Sequence, residues 1–128
     1  MIVCFDFDGT VVTHDYPKIG NPVPKALLVL RKLRSAGCDL VLDTMRSGDE
    51  LDEAITYLNQ AGIQVQGVNT SKDQNKWTTT TKTYGDVYID DRNIGIKCLK
   101  MESQDGTYTP VVDWEWVEEE LIKLGVLD

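Results

Sequence analysis

Three short apolar runs in this chain each stop at an acidic residue. Ile2-Val3-Cys4-Phe5 runs into Asp6, Leu40-Val41-Leu42 into Asp43-Thr44, and Val87-Tyr88-Ile89 into Asp90-Asp91. An apolar run this short, without alternation, marks a strand buried on both faces, as in a parallel sheet. Helical spacing fills the gaps between the runs. Residues 23–36 place Val23, Ala26, Leu27, Leu30 and Leu33 on one face, with Pro24 suited to a first turn and Gly37 as a stop. Residues 49–61 do the same with Leu51, Ala54, Ile55 and Leu58 before Gly62. Strands alternating with helices predict an α/β fold, with a mostly parallel central sheet covered by helices on both faces. A ligand of such a sheet sits beyond the carboxyl ends of the strands. That rule brings Asp6, Asp8, Asp43, Asp90 and Asp91 to one crevice.

The remaining segments are less periodic. Residues 11–22 carry Pro17, Gly20 and Pro22 and read as irregular chain, and residues 63–68 read as a further strand. Residues 69–83 are polar and threonine-rich, and read as a loop. Residues 95–101 suggest a short edge strand and residues 108–112 another strand. Asp113 is a good N-cap for a last helix over 114–124, closed by Gly125. No repeat or linker interrupts the chain, so its 128 residues are expected to form a single domain over 1–128.

Composition excludes several classes of function. The net charge of −8 disfavours extended contact with nucleic acid and with anionic membranes. Cys4, Cys38 and Cys98 have no CxxC spacing and His14 is the sole histidine, so a zinc site is not expected. Reduced thiols in a cytoplasmic protein are the simplest reading of the cysteines. No apolar stretch approaches the ~20 residues of a membrane span.

The acids instead point to phosphoryl chemistry. Asp6, Asp8, Asp90 and Asp91 brought together repel one another unless a hard cation intervenes, and Mg²⁺ suits carboxylate oxygens together with a substrate phosphate. Asp6, at a strand end, can attack phosphorus and form an acyl phosphate. Asp8 can protonate the leaving oxygen and then deprotonate a water. Gly9 permits a tight turn with backbone N–H groups close to phosphate oxygens, and Thr10 beside it is expected at the substrate. Thr44 offers a hydroxyl to a phosphoryl oxygen. Lys82, shortly before the Asp90-Asp91 strand, is the expected charge-offsetting lysine, with Lys76 and Lys72 as poorer choices. Arg46 and Arg92 are candidates for holding a substrate anion.

Taken in order, these residues resemble the motifs of the haloacid dehalogenase (HAD) superfamily of phosphatases and phosphotransferases. The first motif looks like Phe5-Asp6-Phe7-Asp8-Gly9-Thr10, the second like Leu40-Val41-Leu42-Asp43-Thr44, the third is Lys82, and the fourth looks like Val87-Tyr88-Ile89-Asp90-Asp91. The resemblance implies a three-layer Rossmann-like sandwich with Asp6 as nucleophile and Asp8 as acid/base. It also implies Mg²⁺ held by Asp6, the Asp8 carbonyl and one acid of the Asp90-Asp91 pair, with Asp91 preferred. Neither gap between motifs is long enough for a cap domain, which implies a capless member with at most a small flap over residues 11–22. Capless members tend to act on macromolecules, or to form homo-oligomers in which a neighbour covers the site. Asp43, an extra acid before Thr44, departs from the pattern.

The leading expectation is therefore a Mg²⁺-dependent phosphomonoesterase acting through an aspartyl-phosphate on a phosphorylated substrate of unspecified class. Phosphorylated nucleic-acid ends or phosphoproteins are a second enzymatic expectation. A non-catalytic receiver-like module that binds metal and phosphate is the third.

Overall fold

The computed structural model describes residues 1–128. Each apolar run becomes a strand: β1 (Ile2–Phe5), β2 (Asp39–Leu42) and β4 (Val87–Ile89), with β3 (Gly67–Val68) between the last two in sequence. They form one parallel sheet in the order β3-β2-β1-β4. The chain steps outward from β1 to β2 and β3, then crosses back to the other side of β1 for β4. The reversal leaves a crevice at the carboxyl ends of β1 and β4, the usual ligand position in such sheets. The fold is thus α/β with a mostly parallel sheet, plus a separate antiparallel hairpin of β5 (Cys98–Glu102) and β6 (Tyr108–Val112).

The helices follow the expected periodicity with shifted ends: α1 (Ala26–Ser35), α2 (Gly48–Gln60) and α3 (Trp114–Lys123). Helix α1 starts three residues later than Val23, because Lys25 takes a left-handed conformation (φ 66°) and ends the preceding turn. Asp113 caps α3 as expected, accepting from the Trp116 amide at 3.2 Å. No helix is long and apolar enough to cross a membrane.

Helices were expected on both sheet faces; all three pack on one. Val3 and Phe5 of β1, Leu40 and Leu42 of β2, and Ile89 of β4 share a core with Leu30 and Leu33 of α1, Ala54 and Leu58 of α2, and Trp114 and Leu121 of α3. Strand side chains alternate, so Cys4, Val41 and Tyr88 face the other way. That face is covered by the irregular segment 69–86, whose only helical piece is a 3₁₀ turn at Gln74–Lys76. The Cys4 thiol donates to the Tyr84 carbonyl there, and a side chain at Gly85 would run into the Cys4 sulfur. The buried Gln74 amide holds the segment in shape: its oxygen accepts from the Ser71 and Tyr84 amides, and its nitrogen donates to the Lys82 carbonyl. The segment is polar but ordered by these bonds, because a loop over a sheet must satisfy its buried polar groups.

Two further sequence expectations are corrected. Strand β3 is two residues long instead of six, because Ile63 turns into the core and only Gly67 and Val68 reach the ladder. The region over 95–101 is not an edge of the main sheet but one arm of the β5–β6 hairpin. That hairpin supports the loop after β1. The Val112 amide donates to the Gly9 carbonyl (3.0 Å), and the Trp114 indole donates to the Thr10 carbonyl (2.7 Å).

Candidate active site

Asp6 follows the last residue of β1, and Asp90 and Asp91 follow β4. The register places Phe5 beside Ile89, so the acids after them emerge side by side. One oxygen from each of Asp6, Asp90 and Asp91 lies within 4.8 Å of the others. No basic side chain pairs with Asp6 or Asp90. Burial pushes the Asp6 carboxyl up to about 8, opposed by the Phe7 amide that donates to its Oδ1 (2.8 Å) and reinforced by Asp90 and Asp91. Burial likewise raises Asp90, and neighbouring Asp91 adds to the rise. The Asp91 side chain is almost buried; its Oδ2 meets His14 Nε2 at 2.8 Å, and its Oδ1 is buried with no partner. An orphaned carboxylate oxygen costs stability unless something outside the protein satisfies it. Three acids and one orphaned oxygen at a single point fit a hard divalent cation.

The loop after β1 is shaped to allow this contact. Gly9 has φ +80°, and a side chain there would collide with both His14 Nε2 and Asp91 Oδ2. Glycine at this position is what lets the imidazole reach the acid. Nothing in the sequence near either residue ties His14 to Asp91, which lie 77 residues apart.

Asp8 lies in the same cleft but belongs to a different network. Arg46 donates from Nε to Asp8 Oδ2 and from a terminal nitrogen to Asp8 Oδ1, both at 2.8 Å. The other N–H groups of Arg46 go to the carbonyls of Pro17, Lys18 and Glu50. A guanidinium has five N–H donors, and all are engaged. The group is also sandwiched between the Phe7 and Tyr16 rings, at 5.0 and 5.2 Å. The expectation that Arg46 binds a substrate anion is therefore corrected: it is a buried clamp that ties segment 11–22 to Asp8 and α2. Thr10 is corrected too. It is fully buried beneath the loop, away from the cleft, and its hydroxyl finds no partner. Gly9 spends its own N–H on the Val12 carbonyl (2.7 Å). The Asp8 amide, by contrast, donates to no acceptor within the chain.

The other expected residues surround the three acids. Thr44 follows β2, and its hydroxyl oxygen accepts from the Arg46 amide at 3.1 Å, which leaves the hydroxyl proton for a ligand. Asn69, which sequence reading missed, braces it: its side-chain oxygen accepts from the Thr44 amide (2.8 Å), and its side-chain nitrogen donates to the Thr44 carbonyl (3.0 Å). Asp43 Oδ1 accepts from the Thr83 hydroxyl at 3.0 Å, joining β2 to the covering segment.

Two clefts meet at Asp6, Asp43 and Asp90. One, of about 720 Å³, is lined also by Asp8, His14, Thr44 and Arg92. The other, of about 590 Å³, brings in Lys82, Tyr88 and Ile94. Lys82 lines one cleft and Arg92 the other, and neither forms a salt bridge. Segments 10–25 and 43–86 contain no second folded unit above the clefts.

No protein-family model matches the chain, and no curated protein matches it. Among solved structures, that of a conserved protein coded by a locus of Bacteroides thetaiotaomicron is similar, with a TM-score of 0.77 and 32% identity over 98% of this chain and 91% of that one. Identity at that level over nearly the whole of both chains means that this protein belongs to the same family as that conserved Bacteroides thetaiotaomicron protein.

Proposed function

We propose that this protein is a Mg²⁺-dependent phosphomonoesterase of the HAD type in which Asp6 accepts the phosphoryl group. The observation that carries the proposal is the meeting of Asp6, Asp90 and Asp91 at the strand ends, with the buried Asp91 Oδ1 left without a partner. Mg²⁺ held by these three acids would supply positive charge to the carboxylates and to the phosphoryl oxygens. In this reading the sheet, its helical face and the covering 69–86 segment are a reduced Rossmann-like sandwich, with the segment in place of a third layer. The site carries no cap.

The protein's own groups divide the work as follows. Asp6 Oδ1 is held by the Phe7 amide, and its other oxygen attacks phosphorus. The bond from phosphorus to the ester oxygen breaks, and the leaving alkoxide takes the proton carried by Asp8, which the attacking water later restores. Water then attacks the same phosphorus, the Asp6–phosphorus bond breaks, and phosphate leaves with Asp6 regenerated. Thr44 and the free Asp8 amide donate to phosphoryl oxygens, while Lys82 and Arg92 offset their charge. Asp8 accepts the proton of the attacking water in the position it already holds. To donate a proton to the leaving oxygen, it must release one of its two bonds to Arg46.

Release of phosphate from an aryl phosphate, dependent on Mg²⁺ and abolished by Asp6→Asn, is the expected result. Full activity in that variant refutes the mechanism. The closed Asp8–Arg46 pair favours one second reading, a module that is phosphorylated on Asp6 and turns over slowly. Phospho-Asp6 that persists in the unmodified protein without release of phosphate would select that reading.

A further inference from the structure

Segment 69–85 is unlike the rest of the chain. In a protein of net charge −8 it holds Lys72, Lys76 and Lys82 against one acid, Asp73. Only Lys76 is paired, to Asp73 at 3.2 Å, and both side chains are largely in water. Trp77 and Tyr84 stand edge to face, with ring centroids 5.6 Å apart. Trp77 is 65% exposed, an unusual position for the largest apolar side chain.

The segment also forms the rim of the site. Thr81 lines one cleft and Lys82 the other, and Thr83 bonds to Asp43 between them. The Tyr88 hydroxyl donates to the Thr83 carbonyl and accepts from the Gly85 amide, which holds the rim against β4. Across the opening stand Arg92, unpaired, and Ile94, fully exposed. Cations at the mouth lead outward to exposed aromatic faces, and the remaining surface is predominantly acidic.

From this juxtaposition we infer that the rim formed by Lys72, Trp77, Lys82, Tyr84 and Arg92 docks the end of a single-stranded nucleic acid whose terminal phosphate enters the Asp6 cleft. The inference deepens the phosphomonoesterase reading and, for the terminal phosphate, rests on it. Unpaired cations meet backbone phosphates, and exposed rings give bases a surface to stack on without sequence preference. A phosphopeptide has the charge but no bases for the rings. The overall negative charge repels a long duplex, so the footprint is a few nucleotides.

The test uses a short oligothymidylate phosphorylated at one end and fluorescently labelled at the other. Its binding is measured by anisotropy on the Asp6→Asn variant, which leaves the substrate intact. With Lys72, Lys82 and Arg92 on phosphates, single-strand binding should fall roughly 15- to 20-fold between about 50 and 200 mM salt. Trp77→Ala should weaken it by roughly 5- to 150-fold, the range for loss of one stacked base. In the active protein the same substitution should raise KM for the oligonucleotide and leave aryl phosphate hydrolysis unchanged. Lys72→Glu is the second variant and should flatten the salt dependence.

Binding no tighter than that of an aryl phosphate, insensitivity to salt, or equal Trp77-dependent binding of a phosphopeptide would each overturn the inference. So would self-association that buries Trp77. Aryl phosphate turnover without oligonucleotide preference refutes the docking surface alone. Salt- and Trp77-dependent oligonucleotide binding without turnover of any phosphate ester refutes the hydrolase reading alone.

Discussion

Replacing Asp6 by Asn should stabilise the metal-free protein while abolishing the proposed phosphatase activity. In the folded state Asp6 holds its proton up to about 8, against an ordinary value of 3.8. Between those values the unfolded chain has lost the proton and the folded chain has not. Stability of the metal-free protein therefore falls as pH rises from about 4 to about 8, and above that the full penalty is present. The gap corresponds to about 6 kcal/mol at most. The cleft is open to water, which screens the neighbouring acids, so ~2 kcal/mol is the sum to expect from removing one charge. Asparagine keeps an oxygen for the Phe7 amide and removes the charge. For a domain of this size ~2 kcal/mol raises Tm by roughly 6 to 10 °C. Thermal unfolding followed by circular dichroism in EDTA, at steps from pH 5 to pH 8.5, reads the effect directly. The two proteins should converge toward pH 5 and separate as pH rises. Adding Mg²⁺ should raise Tm of the unmodified protein more than that of the variant, since binding to the folded state alone stabilises it. A variant that melts at or below the unmodified protein in EDTA at pH 8 would show that the acids are not in conflict, and the case for a cation would lose its basis.

Three other perturbations separate the networks of the site. Arg46→Met removes all five guanidinium bonds and leaves Asp8 without a counter-charge; a loss of about 3 to 5 kcal/mol in urea unfolding is expected, and a near-neutral result would mean that the clamp is not formed. Gly9→Ala forces His14 away from Asp91 and strains a positive φ; it should weaken Mg²⁺ binding in titration calorimetry and lower stability by about 1 to 2 kcal/mol, whereas unchanged affinity would show that the contact does not orient Asp91. Asn69→Ala frees the Thr44 backbone, and kcat/KM for an aryl phosphate should fall about 10-fold or more with only ~1 kcal/mol lost in stability; unaltered kinetics would remove Thr44 from the phosphate site.

The stability effects and the proposed chemistry have one origin. Crowded acids, an orphaned Asp91 oxygen and a glycine at positive φ are costs to the folded state, and all lie on the two loops that follow β1 and β4. The core beneath is conventional and bears these costs. Asp8 with Arg46 forms a satisfied network beside them, so the strain is confined to the acids that would face a cation.

Local pattern was enough to place β1, β2 and β4 and to put Asp6, Asp43 and Asp90-Asp91 on one edge. Burial on both faces writes a continuous apolar run into β1 and β2, whereas β4 lies at the sheet edge with Tyr88 exposed; in each, the acid that ends the run is the one at the strand's carboxyl end. The helices were legible in the same way, through 3.6-residue spacing, with the largest error where Lys25 delays the start of α1 and smaller shifts at the other ends. Helix placement was not legible, because periodicity says that a helix has a buried face and not which side of the sheet receives it. Partners distant in sequence were hidden for a related reason. His14 and Asp91 are 77 residues apart, Arg46 and Asp8 are 38 apart, and Asn69 and Thr44 are 25 apart. A hydrogen bond between such groups leaves no periodic trace, since nothing in the neighbours of either residue depends on it. Arg46 looked like an anion-binding arginine until the fold closed Pro17, Lys18, Glu50 and Asp8 around it. Strand ends and acid clusters are local consequences of burial, whereas which acid is paired and which is left bare is decided only when distant segments pack.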